Sequence, residues 1–178
     1  RKGKLVGGMK VQRALAGELT LQGVYDAVGD KLREVFGNNS FGIRIVDDNA
    51  GVERFPYAHD GRRRIDVEPI PLASSGFSAH VRRTGKTLLV DEDLDKRVAE
   101  FGSYLVASDM RMPKAQLLVP LIGTGGRVIG ALQMTDEERE HAFAPPEVRL
   151  LETMAGTMSI ALDNARLFNE TQRLLKET

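Results

Sequence analysis

The most constraining feature of this sequence is a pair of apolar segments, residues 116–122 and 128–135, joined by Gly123-Thr124-Gly125-Gly126. Each segment carries apolar residues on both faces, whereas a strand with one solvated face alternates apolar and polar residues. Apolar runs on both sides of a glycine-rich turn predict a β-hairpin. The hairpin is therefore expected to lie inside an antiparallel sheet that is covered on both sides.

Hydrophobic periodicity predicts the remaining elements, and Gly, Pro and Asp-Gly signals separate them. The predicted strands are residues 41–46, 52–59, 63–67, 87–90, 116–122 and 128–135. The predicted helices are residues 9–36, with a break near Leu19-Thr20, 76–83, 92–101 and 146–178. Mixed helices and antiparallel strands in this order indicate an α+β fold.

The composition excludes several classes of function. The chain has 178 residues with 25 Lys+Arg and 25 Asp+Glu, so no net charge is available to attract a nucleic acid. It has no Cys, which excludes disulfides, thiolate metal sites and thiol nucleophiles. No apolar run approaches the roughly 20 residues of a membrane helix, so we expect no membrane insertion and a cytoplasmic location.

Several short motifs, in their order and spacing, resemble those of the GAF domain family. They are Ile70-Pro71-Leu72, a helical segment 75–86 ending in Arg83-Thr84-Gly85-Lys86, the hairpin segments 116–121 and 130–133, and the C-terminal segments 143–147 and 161–168. The resemblance covers nearly all of residues 9–175. It is similar in particular to the GAF modules strung in tandem in bacterial histidine kinases and adenylate/guanylate cyclases.

The resemblance implies a central antiparallel sheet of five to six strands. The N- and C-terminal helices would cover one face, and short helices with the ligand-pocket loops would cover the other. We expect residues 1–8 to be a flexible lead-in, 9–168 the GAF domain, and 169–178 the start of a coiled-coil linker to a downstream output domain. The implied function is regulatory rather than catalytic: a sensory module of a multidomain bacterial signalling protein.

The family's best-defined ligands fit this sequence poorly. Cyclic-nucleotide binders carry an Asn-Lys pair and then Phe, three residues and Asp-Glu; here Phe143 is followed by Glu147-Val148, and the Asn-Lys region reads Met134-Thr135-Asp136-Glu137. Covalent bilin attachment and methionine sulfoxide reduction both need Cys in relatives. Haem would need an axial His, and the chain offers His59, His80 and His141. His80 is the best of them, because its helix resembles the pocket lid, but it is better explained as a half-buried helix residue bonded to the backbone. The ligand is therefore unidentified.

By family analogy, the ligand pocket lies between the sheet and the short helices. Ser75-Gly76-Phe77 at a helix start offers free N–H groups suited to a carboxylate or phosphate. The predicted ligand-binding residues are Arg44, Tyr57, Ser75, Gly76, Phe77, His80, Leu94 and Phe101. The alternative is that these residues pack a second core.

No metal site is predicted. Asp91, Asp93 and Asp95 alternate like the start of a calcium loop, but its sixth position is Lys96 and its twelfth is Gly102. Asp91 is better explained as the cap of the following helix.

The C-terminal helix carries a heptad pattern that predicts pairing with a second copy. The predicted dimer and relay residues are Met154, Met158, Ala161, Ala165, Phe168 and Leu175. We expect a homodimer through the terminal helices, in which ligand occupancy shifts the exit helices and so biases the output domain. The alternative is a dimerisation and relay module without a ligand.

Overall fold

A computed structural model of the chain describes residues 20–37, 39–103 and 112–177. The helices are α1 (Leu21–Phe36), α2 (Phe77–Thr84), α3 (Leu94–Phe101) and α4 (Pro145–Glu177). The strands are β1 (Ser40–Asp47), β2 (Val52–Asp60), β3 (Arg64–Pro71), β4 (Leu88–Val90), β5 (Ala115–Ile122) and β6 (Val128–Asp136). The predicted lead-in, residues 1–8, and the first part of the first predicted helix lie outside the described residues.

The six described strands form one antiparallel sheet in the order β3-β2-β1-β6-β5-β4. The β5–β6 hairpin occupies interior positions, as its apolar residues on both faces predict. This arrangement confirms the predicted α+β fold.

One face of the sheet packs against α1 and α4. Helix α1 begins after Thr20, whose hydroxyl oxygen accepts a hydrogen bond from the Gly23 N–H at 3.0 Å. Its apolar stripe, which includes Val24, Val28 and Leu32, is fully buried in the main core. The predicted break near Thr20 therefore coincides with a capped helix start.

The opposite face packs against α2 and α3, which bury a smaller core cluster. This cluster contains Phe77, Val81, Val90, Leu94 and Leu118. The two apolar layers explain why β5 is apolar on both faces: Leu117 lies in the main core and Leu118 in the second.

A β-bulge in β2 changes the face on which Tyr57 lies. Ile43 pairs with Tyr57 and Ile45 pairs with Arg54, so one residue of β1 between these pairs opposes two of β2. Pro56, which lacks an N–H, lies within this irregular step. The extra residue turns Tyr57 toward α1, where it is 1% exposed and its hydroxyl donates to Asp30 at 2.9 Å. The prediction that Tyr57 lines the ligand pocket is therefore wrong.

The long helix α4 buries most of its predicted dimer residues in its own domain. Met158, Ala161 and Ala165 lie in the main core, and Met154 packs against that core. Because α1 and β5 cover this face of α4, these four residues cannot form a seam with a second copy while the domain is folded. Phe168 and Leu175 are the two predicted seam residues that are exposed.

None of the helices in the described parts of the chain is long and apolar enough to cross a membrane.

Candidate ligand pocket

A small cavity of about 80 Å³ lies between the sheet and the N-terminal end of α2. Strands β1, β2, β5 and β6 supply its floor, and the segment from β3 into α2 supplies its wall. Four predicted ligand-binding residues line it: Arg44, Ser75, Gly76 and Phe77. Polar lining residues that sequence reasoning missed are Glu53, Ser78, Ser103, Gln116 and Gln133.

The floor of the pocket is a buried ion pair between Arg44 and Glu53. Arg44 Nε donates to Glu53 Oε2 and Arg44 Nη2 donates to Glu53 Oε1, each at 3.0 Å. Arg44 Nη1 donates to the amide oxygen of Gln133 at 2.7 Å. This bidentate geometry holds the planar guanidinium in one orientation.

Helix α2 adds a second partner to Glu53. The Ser78 hydroxyl lies 2.9 Å from both carboxylate oxygens of Glu53. Burial alone would raise the pKa of Glu53, but the hydrogen bonds and charge of Arg44, with smaller contributions from Ser78 and Arg82, hold it below its ordinary value. Glu53 is therefore ionised, and its charge ties the sheet to α2.

The N-terminus of α2 is occupied by the chain itself. The Gly76 N–H donates to the Phe101 carbonyl at 2.7 Å, and the Phe77 N–H donates to Ser103 Oγ at 3.0 Å. Gly76 has φ 103°, a conformation that favours glycine. The predicted anion site therefore lacks two of the donors on which the prediction depended.

Three other predicted ligand-binding residues lie outside the pocket lining. Leu94 is buried in the second core cluster, and Phe101 packs against that cluster. The His80 ring contacts the Phe101 ring edge-on, with centroids 5.1 Å apart. For Leu94 and Phe101, the alternative prediction of a second core is the correct one.

Two of the missed polar residues do have a signal in the sequence. Gln116 and Gln133 are polar residues inside strands that are otherwise mainly apolar. A polar side chain in such a strand needs a buried partner, so it indicates a polar site on that face. Glu53 gives no such signal, because the next residue of β2, Arg54, is charged as well.

The three histidines do not converge on the pocket. His59 is buried, with its Nδ1 accepting from the Gly61 N–H at 3.1 Å and its ring stacked on Phe41. The His141 ring pairs with Asp91 and Glu92, at 3.1 and 3.3 Å, and not with a pocket residue. Within the described residues, no group of three or more His, Asp or Glu side chains is placed to hold a metal ion.

Asp91 does not cap α3 as predicted. The N-cap residue is Asp93, with φ 48°, and the Asp91 carboxylate instead pairs with His141 Nδ1 at 3.1 Å. The Asp91 carboxylate, which would accept the hydrogen bond of a helix cap, instead binds His141 in the loop before α4.

One protein family combines these sequence motifs with a sheet between two helical layers. A sequence comparison shows whether the chain belongs to it. The model of the GAF domain matches residues 18–163. The chain belongs to the GAF domain family. No curated protein has a significantly similar sequence.

Solved structures share the GAF fold at low sequence identity. A methyl-accepting chemotaxis protein, residues 122 to 287, has a TM-score of 0.72 at 16% identity, covering 90% of this chain and 98% of that chain. The GAF domain of an Acinetobacter phosphoenolpyruvate-protein phosphotransferase has a TM-score of 0.69 at 13% identity, covering 94% and 96%. Free methionine-R-sulfoxide reductase from Neisseria meningitidis, solved with its substrate, has a TM-score of 0.66 at 18% identity, covering 88% and 86%.

Proposed function

We propose that this GAF domain is a sensory module that binds a small, uncharged polar molecule in the pocket and passes its occupancy to α4. The observation that carries the proposal is the buried polar floor beside a cavity: Arg44, Glu53 and Gln133 form a fixed network that a purely structural core does not need. Buried polar groups beside a cavity give a ligand defined hydrogen-bond partners.

The charges of the pocket determine the ligand's chemistry. Among the described residues, its lining contains one cation, Arg44, and one anion, Glu53, and each already neutralises the other. A charged ligand would have to break this pair and leave one charge buried and uncompensated, which is costly. A neutral molecule with both a donor and an acceptor, such as a carboxamide, can bind beside Gln116 and Ser103 without doing so.

The relatives support a sensory role. A chemotaxis protein and a phosphotransferase carry the same fold. We propose that the parent protein is a multidomain bacterial signalling protein, such as a histidine kinase or a nucleotide cyclase, with an output domain beyond α4.

We propose that α4 relays the signal through a homodimer, but along a different face from the one predicted. Ile160 and Leu167 are 66% and 62% exposed, and with Leu174 they repeat every seven residues. Thr157, Asn164 and Thr171 each precede one of these residues by three positions. We call these six residues the exposed stripe; they follow the spacing of a coiled-coil seam.

The hydroxyls of the exposed stripe do not oppose such pairing. Thr157 donates to the Thr153 carbonyl at 3.2 Å, and Thr171 donates to the Leu167 carbonyl at 2.9 Å. Their polar atoms are bonded within the helix, so their methyl groups are available to a partner helix.

We propose that the isolated domain is not catalytic. The reductase from Neisseria is an enzyme on this fold. Sulfoxide reduction in such relatives needs Cys, and this chain has none.

A specific observation favours the alternative of a relay module without a ligand. The donors of Arg44 and the first N–H groups of α2 are bonded within the chain, and the cavity is small. In this alternative the pocket network only locks α2 onto the sheet.

Saturation-transfer NMR with acetamide as the probe separates the two functions. Ala73 lines the pocket and is half-buried, so Ala73→Phe should fill the cavity. Ala50→Phe, in an exposed turn, is the matched control. We expect saturation transfer to acetamide in the wild type and in Ala50→Phe, and its loss in Ala73→Phe. No transfer in the wild type, or equal transfer in all three proteins, would contradict ligand binding in this pocket.

A further inference from the structure

A second cavity of about 80 Å³ adjoins the ligand pocket on the same face of the sheet. Its lining is mainly apolar and includes Gly42, Phe55, Ala58, Ile65 and Val67, which together we call the apolar trough. Phe55, Ile65 and Val67 are only half-buried, so apolar surface remains open here.

Strand register creates the trough. Gly42 pairs directly with Ala58, and Ala58 pairs with Ile65 on the next strand. Residues paired across antiparallel strands lie on the same face, so the two smallest side chains form a common floor. Phe55, paired with Val67, rises beside that floor.

The trough and the pocket share a wall. Arg44 and Gln133 line both cavities, and their hydrogen bond spans the boundary. The Arg44 guanidinium carbon lies 5.1 Å from the centroid of the Phe55 ring. The two cavities thus adjoin at the Arg44–Gln133 pair, and together, as one recess, they have a polar end at Glu53 and an apolar end at Val67.

We propose that this recess takes an amphiphilic small molecule, with an uncharged hydrogen-bonding head in the pocket and an alkyl chain or ring in the apolar trough. The proposal rests on the proposed function, because it requires that the pocket binds a ligand. The shared Arg44–Gln133 wall makes the two cavities neighbouring subsites for one molecule. The alkyl chain of such a ligand would be removed from water as it covers the half-buried side chains, and this burial favours binding.

The test uses straight-chain primary carboxamides, acetamide, butanamide and hexanamide, with affinities measured by NMR titration. Because each methylene that enters the trough leaves water, we expect affinity to rise about three- to fourfold per buried methylene. Equal affinities for the three amides would overturn the proposal while leaving pocket binding intact.

A variant that fills the trough tests the location of the chain. A Cβ at Gly42 would meet only the Tyr57 carbonyl oxygen, at 3.6 Å, so Gly42→Leu should fold with its side chain in the trough. Ala50→Leu is the control. We expect Gly42→Leu to bind acetamide as the wild type does. Its affinity should no longer rise with the length of the amide's alkyl chain. Retention of that gain in Gly42→Leu would overturn the proposal.

A probe without the amide separates this inference from the proposed function. We expect 1-hexanol to shift the methyl NMR signals of Ile65 and Val67 in the wild type and not in Gly42→Leu. If hexanol shifts these signals while acetamide does not bind, the apolar trough binds ligands but the proposed function of the polar pocket is wrong. If acetamide binds and hexanol leaves both signals unchanged, the trough is closed to ligands, for example by another segment of the same chain, and the inference fails.

Discussion

Arg44 and Glu53 hold two full charges in a buried site, and each is stable there only because of the other. Removing both charges together can be nearly neutral for stability, whereas removing one leaves the other uncompensated. Ser78 and Gln133 satisfy the remaining hydrogen bonds, so the network should behave as a unit.

Glu53→Gln should therefore lower the free energy of unfolding by ~3–5 kcal/mol, since it leaves the guanidinium of Arg44 buried without a counter-charge. Urea denaturation measures this. The control is Asp26→Asn, which removes an exposed pair with Arg64 and should cost less than about 1 kcal/mol. A double variant, Arg44→Met with Glu53→Leu, should regain most of the loss. Equal effects of Glu53→Gln and Asp26→Asn would show that the buried pair is not the anchor of the site.

Helix α1 lies so close to the sheet that one of its positions has no room for a side chain. A Cβ at Gly29 would lie 2.2 to 2.4 Å from ring carbons of Tyr57, whose ring is enclosed in the core. By contrast, a Cβ at Gly156 in α4 would meet nothing within 4 Å. A side chain would therefore be obstructed at Gly29 and unobstructed at Gly156.

Gly29→Ala should destabilise the domain by about 1–3 kcal/mol through overpacking, although Ala favours helix. Gly156→Ala should stabilise it by up to about 1 kcal/mol, because Ala has the higher helix propensity and meets no obstacle. Urea denaturation of both variants checks the pair. Stabilisation by Gly29→Ala would mean that α1 does not pack on Tyr57 as described.

The loop before α4 is tied to the loop before α3. The His141 N–H donates to the Asp91 carbonyl at 2.7 Å, and the His141 ring pairs with the carboxylates of Asp91 and Glu92. The hydrogen bond to Asp91, together with the charges of Asp91, Glu92 and Glu140, raises the pKa of His141 above 6.5. This contact joins the pocket side of the domain to the start of the relay helix.

A raised pKa means that the folded protein binds the His141 proton more tightly than the unfolded chain does. The resulting stability is fully present below pH 6.5 and is lost as the pH rises through the raised pKa of the folded state. We expect the wild type to lose stability between pH 6 and pH 8 relative to His141→Gln, measured by urea denaturation at both values. Parallel pH profiles for the two proteins would rule out this contribution.

Strand and helix positions were predictable because they follow from local patterns, such as the apolar hairpin and the helical spacing of Val24, Val28 and Leu32. Arg44, Ser75, Gly76 and Phe77, which family analogy predicts to bind a ligand, line one cavity in the structure. Tyr57 does not line it, because of a bulge at Pro56 of which strict alternation gives no warning. The Phe101 carbonyl that occupies the N-terminus of α2 comes from a distant part of the chain, which no local pattern reveals.

The dimer seam on α4 also could not be predicted from local sequence patterns, because it depends on how the whole domain packs. Its sequence has apolar residues on more than one face, and only the packing of α1 and β5 decides that Met158 and Ala165 are interior. Ile160 and Leu167 remain outside and continue the heptad spacing. The proposed dimer therefore depends on a face that becomes identifiable only once the domain is folded.

Replacing Ile160 and Leu167 together with Glu should make the protein monomeric, because two charges per helix would be buried in the seam. Light scattering at high protein concentration measures the change. Asn169→Glu, at an exposed position on the side of α4 away from the stripe, should leave the dimer intact. A wild type that is monomeric at high concentration would remove the basis of the relay.

The proposed relay requires that occupancy of the pocket changes the pairing of α4, and the distance between two spin labels reports this pairing. Since the chain has no native Cys, Glu170→Cys places a single spin label on the exposed part of α4. Pulsed electron paramagnetic resonance then gives the label-to-label distance within the dimer, with and without saturating hexanamide. We expect hexanamide to shift this distance and Ala73→Phe to abolish the shift. A distance that stays unchanged on binding, or a shift that persists in Ala73→Phe, would contradict the proposed relay.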